Sequence, residues 1–243
     1  MDTKPSKHVS IVMVHYSRID DFNGESAGKN PTPRSQLLRT SLESLLTNTN
    51  YPAEVIVMDN GGDPDDSDYL LGKAREGKIT HVRFPQNLHF AHAWNTGAKI
   101  ATGDTLSFIC NDIEFLPGWL NVCMEMLEKY PERELLATPF ITYDKHKYTF
   151  EVTPEGYRVN LRSGSNCMVL PRTLWQKVGE FPIHRIGGSL WYNQLAKLGI
   201  RTIAPPEDLA LDRGWRQGVN FRRTIEVKKL LLDNSEVHFE LPQ

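Results

Sequence analysis

Residues 87–120, NLHFAHAWNTGAKIATGDTLSFICNDIEFLPGWL, join a helical pattern to a short apolar run. Residues 91–100 predict a helix that ends before Gly103, and residues 105–109 predict a buried strand. Three polar residues follow that strand: Asn111, Asp112 and Glu114. Asn and Asp are common at strand ends as turn residues, but this stretch also predicts that acidic side chains reach one edge of a sheet.

Two β-rich apolar runs, residues 9–14 and 54–58, predict further strands that are covered on both faces, as in a parallel sheet. Residues 80–84 continue the series. Leucines at helical spacing predict a helix over residues 37–46, with Ser35 as its N-cap. This alternation predicts a right-handed βαβ sheet whose ligands bind at the carboxyl ends of the strands.

The second half of the chain is less regular. Short apolar runs at residues 135–141 and 165–170 and helical patterns at residues 174–178 and 190–198 predict a mixed arrangement. Two other segments are a loop predicted over residues 20–34 and a closing helix predicted over residues 222–232. We therefore expect the α/β class, with a mostly parallel central sheet flanked by helices and an irregular, mixed C-terminal part.

The composition excludes several classes of protein. With 28 basic and 30 acidic residues the formal charge is -2, so no global field favours nucleic acid or an anionic membrane as a partner. The three cysteines lie far apart, which indicates a reducing compartment, and we expect a cytoplasmic protein. No run approaches the roughly 18 apolar residues of a spanning helix, so we expect no transmembrane segment.

The acidic residues that follow the strand at residues 105–109 favour a divalent cation. Hard cations such as Mg²⁺ and Mn²⁺ prefer oxygen ligands and often share their shell with substrate phosphates, so one or two carboxylates suffice. Asp112 is the first candidate metal ligand and Glu114 is the second.

Four motifs occur in order along the first 120 residues. Residues 9–17 read VSIVMVHYS, residues 55–62 read VIVMDNGG, residues 95–104 fit the pattern N-x-G-x-x-x-A-x-G-D, and residues 109–120 read ICNDIEFLPGWL. Their order and spacing resemble the family-2 glycosyltransferases of the GT-A fold, whose first strand reads VSIVIPVYN and whose metal motif has the variant LNNDxExxPGWL. The resemblance implies a single GT-A domain over residues 1–243. Its two halves would bind the nucleotide sugar, over residues 8–120, and the acceptor, over residues 121–243.

The resemblance also implies a donor site at the carboxyl edge of the sheet. Asp59 would accept a hydrogen bond from the nucleotide base, and the backbone around His15 and Tyr16 would frame that base. Asp112 would hold a Mn²⁺ or Mg²⁺ ion that bridges the two phosphates and neutralises the leaving nucleoside diphosphate. The other donor-binding candidates are Trp94, Asn95, Asn111, Arg213 and Arg216.

Residues 212–218, DRGWRQG, have the composition of a loop that could close over a diphosphate through its two arginines, and a polar surface turn is the alternative. Relatives often have a His near this place as an extra metal ligand, and Asp212 is a candidate substitute for it. Trp191 and Trp215 are candidates for stacking against an acceptor sugar, with core packing as the alternative.

The chain departs from the family pattern at two places. Cys110 occupies the first position of the metal motif. We expect it to be a buried strand residue, while Asn111 or Glu114 would complete the shell of the metal ion through water. Gly187 and Gly188 occupy the position of the family's Glu-Asp pair, which supplies the catalytic base. The candidates for a replacement base are His184, Glu207, Asp208 and Asp212, of which Asp208 and Asp212 are preferred.

The predicted function is transfer of a sugar from a UDP- or dTDP-linked donor to a glycan, a lipid-linked acceptor or a small acceptor, as in polysaccharide biosynthesis. Transfer would be metal-assisted and inverting, with a retaining mechanism without a protein base as the alternative. Because the Glu-Asp pair is absent, a catalytically silent relative that binds nucleotide sugar or glycan is a competing hypothesis. Nucleotidyl transfer is a weaker one, because residues 20–34 lack a phosphate loop rich in glycine and basic residues.

Overall fold

The computed structural model describes residues 8–17, 34–139, 151–160, 166–184 and 187–213. The helix predicted over residues 222–232 lies outside these segments, as does the predicted loop over residues 20–34 apart from Arg34.

The described strands are β1 (Val9–His15), β2 (Ala53–Asn60), β3 (Thr80–Phe84), β4 (Thr105–Cys110), β5 (Ile113–Phe115), β6 (Leu135–Ala137), β7 (Glu151–Val152), β8 (Arg158–Asn160), β9 (Cys167–Pro171), β10 (Arg201–Ala204) and β11 (Ala210–Asp212). The described helices are α1 (Arg34–Asn48), α2 (Pro64–Arg75), α3 (Phe90–Ile100), α4 (Trp119–Lys129), α5 (Arg172–Val178) and α6 (Gly187–Lys197).

Nine of these strands form one sheet in the order β3-β2-β1-β4-β9-β6-β10-β8-β7. The first four run parallel to one another, whereas β9 is antiparallel to both β4 and β6. β5 and β11 form a separate antiparallel pair. The predicted α/β class, with a parallel sheet in the first half and a mixed second half, is confirmed.

The residues of β1 alternate between two hydrophobic cores, as expected for a strand that is buried on both faces. Ile11 and Met13 belong to the core that α1 and α4 cover, and Val12 and Val14 belong to the core that α3, α5 and α6 cover. This double coverage explains the nearly continuous apolar run in the sequence.

Two glycines of the helix signature let α3 and its following turn approach β1 closely. A Cβ atom on Gly97 would lie 2.3 Å from Cγ1 of Val12, and one on Gly103 would lie 2.5 Å from the carbonyl oxygen of His8. A larger residue at either position would force the helix away from the sheet, so these motif glycines serve packing.

The elements differ from the predicted ones in two respects. Ser35 lies within α1 and its hydroxyl donates to Asp66 on α2, so its prediction as the N-cap is wrong. In addition, α2 is not among the predicted helices. Its start nevertheless carries ordinary helix signals, namely Pro64 at the first position and Asp65 and Asp66 in the first turn. None of the described helices is long and apolar enough to span a membrane.

Candidate functional site

The carboxyl ends of β1, β2 and β4 lie at one edge of the sheet. In the parallel pairing, His15 is opposite Asp59 and Val14 is opposite Cys110. The residues that follow β4, Asn111 and Asp112, therefore emerge at the same edge as the ends of β1 and β2. This is the edge where open α/β sheets bind ligands.

Asp112 and Asp212 are brought together at this edge by the short β5–β11 pair. Asp212 is opposite Ile113, and the backbone N–H of Arg213 donates to the carbonyl oxygen of Asp112 at 2.8 Å. Burial raises the pKa of Asp112 to about 7, and the neighbouring charge of Asp212 adds to this shift. The side-chain amide of Asn166 donates to Oδ2 of Asp212 at 2.6 Å. The edge therefore holds two carboxylates on paired strands that interact electrostatically, and an amide fixes one of them.

This carboxylate pair fits a hard divalent cation. Oδ1 of Asp112 is buried and has no hydrogen-bond partner, and such a buried oxygen is stabilised by a positive charge. Within the described segments, no group of three or more His, Cys, Asp or Glu side chains could hold a metal ion. Two carboxylates with substrate phosphates and water are nevertheless a common shell for Mg²⁺ or Mn²⁺.

Glu114, the second predicted metal ligand, contacts a guanidinium group. Arg213 donates from Nε to Oε2 of Glu114 at 2.5 Å and pairs with the same oxygen through Nη2. Glu114 is not among the groups that shift the pKa of Asp112, whereas Asp212 is. Asp212 is therefore the better candidate for the second metal ligand, because the side chain of Glu114 is paired with Arg213.

Asp59 is fully buried and binds groups of the protein itself. Its carboxylate accepts from the backbone N–H of Gly62 at 2.8 Å and from the hydroxyl of Ser67, and Nε2 of His81 lies 3.4 Å away. Burial raises the pKa of Asp59, but the hydrogen bonds from His81, Ser67 and Gly62 bring it below its usual value. In this conformation the ionised carboxylate holds the turn after β2 against the start of α2.

His15 is also fully buried, and its imidazole connects two other residues. Nδ1 lies 2.8 Å from the amide Nδ2 of Asn111, and Nε2 lies 3.3 Å from Oδ2 of Asp66. Tyr16, the next residue, is partly buried. The side chain of His15 thus faces the interior of the protein.

Trp94 and Asn95 lie in the interior rather than in an open cleft, which corrects their prediction as residues lining the donor site. The indole of Trp94 donates to the carbonyl oxygen of Ile109 at 3.3 Å. Asn95 donates to the carbonyl oxygen of Phe181 and accepts from its backbone N–H, both at 2.9 Å. Both polar groups of the Asn95 amide are used to bind the second half of the chain to α3.

Trp191 requires the same correction. Its side chain has zero exposure, its indole donates to the carbonyl oxygen of Gly179 at 2.9 Å, and its ring lies 4.5 Å from that of Phe181. A residue in this position is part of the core, because a sugar could not reach its ring. Trp215 and Arg216, the other predicted residues of this region, lie outside the described residues.

Comparison with known proteins identifies the family. The family model described as Glycosyl transferase family 2 matches residues 32–171, more than half of the chain. The chain belongs to glycosyl transferase family 2. This confirms the resemblance that the four motifs indicate.

One curated relative is similar in sequence, and three solved structures are similar in fold. The O-antigen biosynthesis protein RfbC of Myxococcus xanthus is 30% identical over 98 residues, which are 40% of this chain and 8% of that protein. Mannosyltransferase PcManGT from Pyrobaculum calidifontis, in complex with GDP-Man and Mn²⁺, gives a TM-score of 0.68 at 16% identity and covers 99% of this chain and 68% of its own.

The structure of GalNAc-T7 with UDP, GalNAc and Mn²⁺ gives a TM-score of 0.62 at 14% identity, over 83% of this chain and 42% of that one. The structure of S. aureus TarS 1–349 gives a TM-score of 0.57 at 14% identity, over 81% of this chain and 60% of that one. These likenesses confirm the predicted GT-A fold. The chain spans less than a tenth of the length of RfbC and 42% of GalNAc-T7.

The two departures from the family-2 pattern have structural reasons. Cys110 ends β4, and burial raises the pKa of its thiol well above the usual value, with the Asp112 and Asp212 charges adding to the shift. A neutral thiol at this partly buried strand end is not a ligand for a hard cation. A Cβ atom on Gly187 would lie 2.2 Å from the carbonyl oxygen of Pro182, so this family-2 chain has no room for a carboxylate there.

The two preferred base candidates are separated in the fold. Asp212 lies beside Asp112, whereas Asp208 is exposed on the segment that leads into β11. Asp66, which contacts His15, and Ser67, which donates to Asp59, are not among the predicted site residues. Pro64 and the acidic first turn of α2 are the sequence signal that could have found them. The sequence reading gave no role at the carboxylate pair to Asn166, whose contact with Asp212 depends on strand pairing between distant segments.

Proposed function

We propose that this chain is a glycosyltransferase that transfers a sugar from a nucleoside diphosphate to an acceptor, with a divalent cation held by Asp112 and Asp212. The observation that carries the proposal is the pair of adjacent carboxylates at the ligand-binding edge of a family-2 fold. Relatives of the same fold are described with UDP or GDP-Man and with Mn²⁺, which supports this class of donor and cation.

Each part of the edge has a proposed task. Asp112 and Asp212 supply oxygen ligands, and Asn166 keeps Asp212 oriented by its hydrogen bond. A cation bound there supplies the positive charge that favours departure of the nucleoside diphosphate. Arg213, paired with Glu114 next to the carboxylates, is a proposed contact for the diphosphate of the donor.

The nucleotide base is proposed to lie over the ends of β1 and β2, near the backbone of His15 and Tyr16. Asp59 holds the turn between residues 59 and 62 that borders this place. A direct bond from the base to Asp59 requires that the carboxylate exchange one of its present partners. UDP- and dTDP-linked sugars remain the proposed donors, and GDP-linked sugars join them because PcManGT is described with GDP-Man.

The acceptor class is proposed to be a glycan or a lipid-linked saccharide of polysaccharide biosynthesis, because RfbC is described as an O-antigen biosynthesis protein. A cytoplasmic setting is proposed from the three widely spaced cysteines, which are free. For an inverting reaction Asp208 is the remaining one of the two preferred base candidates, since Asp212 is assigned to the cation, and His184 and Glu207 are the other candidates. Asp208 is exposed and lies on the segment leading into β11, so its carboxylate is accessible to an acceptor hydroxyl.

A second candidate function is binding of a nucleotide sugar without turnover. The steric limit at Gly187 favours it: a Cβ atom there would lie 2.2 Å from the carbonyl oxygen of Pro182, so this residue of the Gly187–Gly188 pair has no room for an acidic side chain. One experiment separates the two: release of UDP, dTDP or GDP from the matching sugar nucleotides is measured with Mn²⁺ and with chelator. Release that needs Mn²⁺ and is lost in Asp112→Asn but kept in the exposed control Asp65→Asn supports transfer. Binding without release supports the silent relative, and neither binding nor release refutes both.

A further inference from the structure

His15 is a buried imidazole at a position where the first-strand pattern of family 2, VSIVIPVYN, has Val. The side chains of His15 and Asp66 both have zero exposure, so their polar atoms depend on partners inside the protein. Nδ1 of His15 lies 2.8 Å from Nδ2 of Asn111. Nε2 lies 3.3 Å from Oδ2 of Asp66, off the line of an ideal hydrogen bond. The three side chains form a connected path from α2 to the carboxyl end of β4.

Asp66 is held as an ionised acceptor by several neighbours. The hydroxyl of Ser35 donates to Oδ2 at 3.1 Å, and Nη1 of Arg39 lies 3.6 Å from Oδ1. Burial raises the pKa of Asp66, but its polar contacts with His15, Ser17 and Ser35 bring the pKa below its usual value. An ionised carboxylate can only accept, so the proton of a neutral His15 belongs on Nε2, which faces Asp66.

The position of that proton determines how Asn111 is oriented. A neutral imidazole with its proton on Nε2 is an acceptor at Nδ1. Asn111 must then turn its NH₂ group toward His15, because its carbonyl oxygen has no proton to donate. The 2.8 Å contact between Nδ2 and Nδ1 has this arrangement. The carbonyl oxygen of the same amide is consequently turned away from the imidazole.

We propose that His15 is a positioning residue: together with Asp66 it fixes the Asn111 amide so that the carbonyl oxygen, and not the NH₂ group, is presented to the nucleotide sugar beside Asp112. The inference rests on the proposed function, since the donor is the ligand that Asn111 meets. A valine at position 15 could fill the space but could not choose between the two orientations of the amide. The sequence reading assigned His15 only through its backbone, so this role of the side chain is additional.

The first test reads the proton directly in the wild-type protein. Nitrogen-15 spectra of the imidazole groups are recorded at neutral pH, and the His15 signals are identified by their absence in His15→Phe. We expect the shifts of a neutral ring with the proton on Nε2. A ring protonated on Nδ1 alone, or on both nitrogens, would overturn the proposal because Nδ1 could then not accept from Asn111.

The second test reads the consequence for donor binding. UDP and GDP, each with Mn²⁺, are titrated calorimetrically into wild type, His15→Phe, Asp66→Asn and the control His92→Phe. Asn at position 66 can donate to Nε2 and so permit the other tautomer. We expect the Kd of whichever nucleotide binds wild type to rise roughly tenfold or more in both relay variants and to be unchanged in His92→Phe. In steady-state assays the donor KM should rise more than kcat falls.

Folding of each variant is checked by its thermal transition, and the wild-type spectra remain decisive if a variant does not fold. A folded His15→Phe protein with the wild-type Kd would overturn the relay while leaving the proposed function intact. Failure of wild type to bind any nucleotide with Mn²⁺ would instead refute the proposed function, and the proton on His15 would still be measurable. The two failures are therefore distinguishable.

Discussion

Asp212 is held next to the Asp112 segment because two three-residue strands, β5 and β11, pair in antiparallel register, with Asp212 opposite Ile113. The shared electrostatic environment is visible in Asp112, whose pKa is raised to about 7 by burial and by Asp212. A pair of like charges is retained in a folded protein at a cost, which commonly marks a functional site.

Replacing Asp112 by Asn should stabilise the metal-free protein above pH 7. The folded protein keeps a proton on Asp112 up to about pH 7, whereas the unfolded chain releases it near pH 4. Wild-type stability therefore falls as the pH rises between these values, and Asn removes this loss. We expect the free energy of unfolding of Asp112→Asn to exceed that of wild type by about 1–3 kcal/mol at pH 8 and to approach it near pH 4. Urea denaturation in the presence of chelator measures both, with Asp65→Asn as control. An equal difference at the two pH values would contradict the raised pKa.

The identity of the second metal ligand can be decided by comparing Asp212→Asn with Glu114→Gln. We expect Mn²⁺ with UDP or GDP to raise the Tm of wild type and of Glu114→Gln, since Glu114 contacts Arg213 rather than the carboxylate pair. In Asp212→Asn the Mn²⁺-dependent increase should be abolished because one charged oxygen ligand is gone. Differential scanning calorimetry with and without Mn²⁺ gives the comparison. The reverse result, a loss in Glu114→Gln alone, would return the ligand role to Glu114.

Asn95→Ala should destabilise the protein by about 2–4 kcal/mol, because the backbone N–H and carbonyl group of Phe181 both lose their partner. Asn121→Ala is a matched control, since Asn121 is an exposed Asn within α4. Chemical denaturation measures the change. In the folded fraction, the donor Kd of Asn95→Ala should equal that of wild type. A weakened Kd with unchanged stability would restore Asn95 to the donor cleft.

Two glycines allow a test of the steric exclusion at the family base position. Gly187→Ala should destabilise by about 2 kcal/mol or more, because its Cβ atom would meet the carbonyl oxygen of Pro182 at 2.2 Å. Gly72 has no atom within 4 Å of the same position and lies within α2, so Gly72→Ala should stabilise by about 0.5–1 kcal/mol. The two unfolding free energies are compared in one denaturant series. An unchanged free energy of unfolding in Gly187→Ala would mean that the loop at Pro182 moves to make room and that the position could hold a carboxylate.

The sequence predicted the fold where the pattern is local and failed where it is not. β1, β2 and β4 agree closely with the prediction, because strands covered on both faces leave a continuous apolar run. The β3 bounds also agree, although β3 is the half-exposed edge strand of the sheet. The prediction omitted α2, a mostly polar helix in which the apolar spacing is weak although its Pro64 start and acidic first turn are regular.

For the site, the sequence identified Asp112 from the strand that precedes it but could not assign its neighbour. The approach of Asp212 depends on the register of β5 and β11, which a local pattern does not contain. Asn95 and Trp191 show the converse error. Each was predicted to bind a ligand. In the structure the hydrogen-bonding groups of Asn95 pair with the backbone of Phe181, and the indole N–H of Trp191 pairs with the carbonyl oxygen of Gly179.

The double hydrogen bond between Asn95 and Phe181 has a mechanical consequence. Asn95 belongs to the helix that packs directly on β1, and Phe181 belongs to the segment between α5 and α6. The portion that carries the ends of β1 and β4 is thus fastened to the portion proposed for acceptor binding. Separating them would leave the Asn95 amide and the backbone N–H and carbonyl group of Phe181 without partners. We expect the two portions to melt together as one cooperative unit, so a shift imposed on the acceptor side is transmitted to the carboxyl edge as a rigid movement.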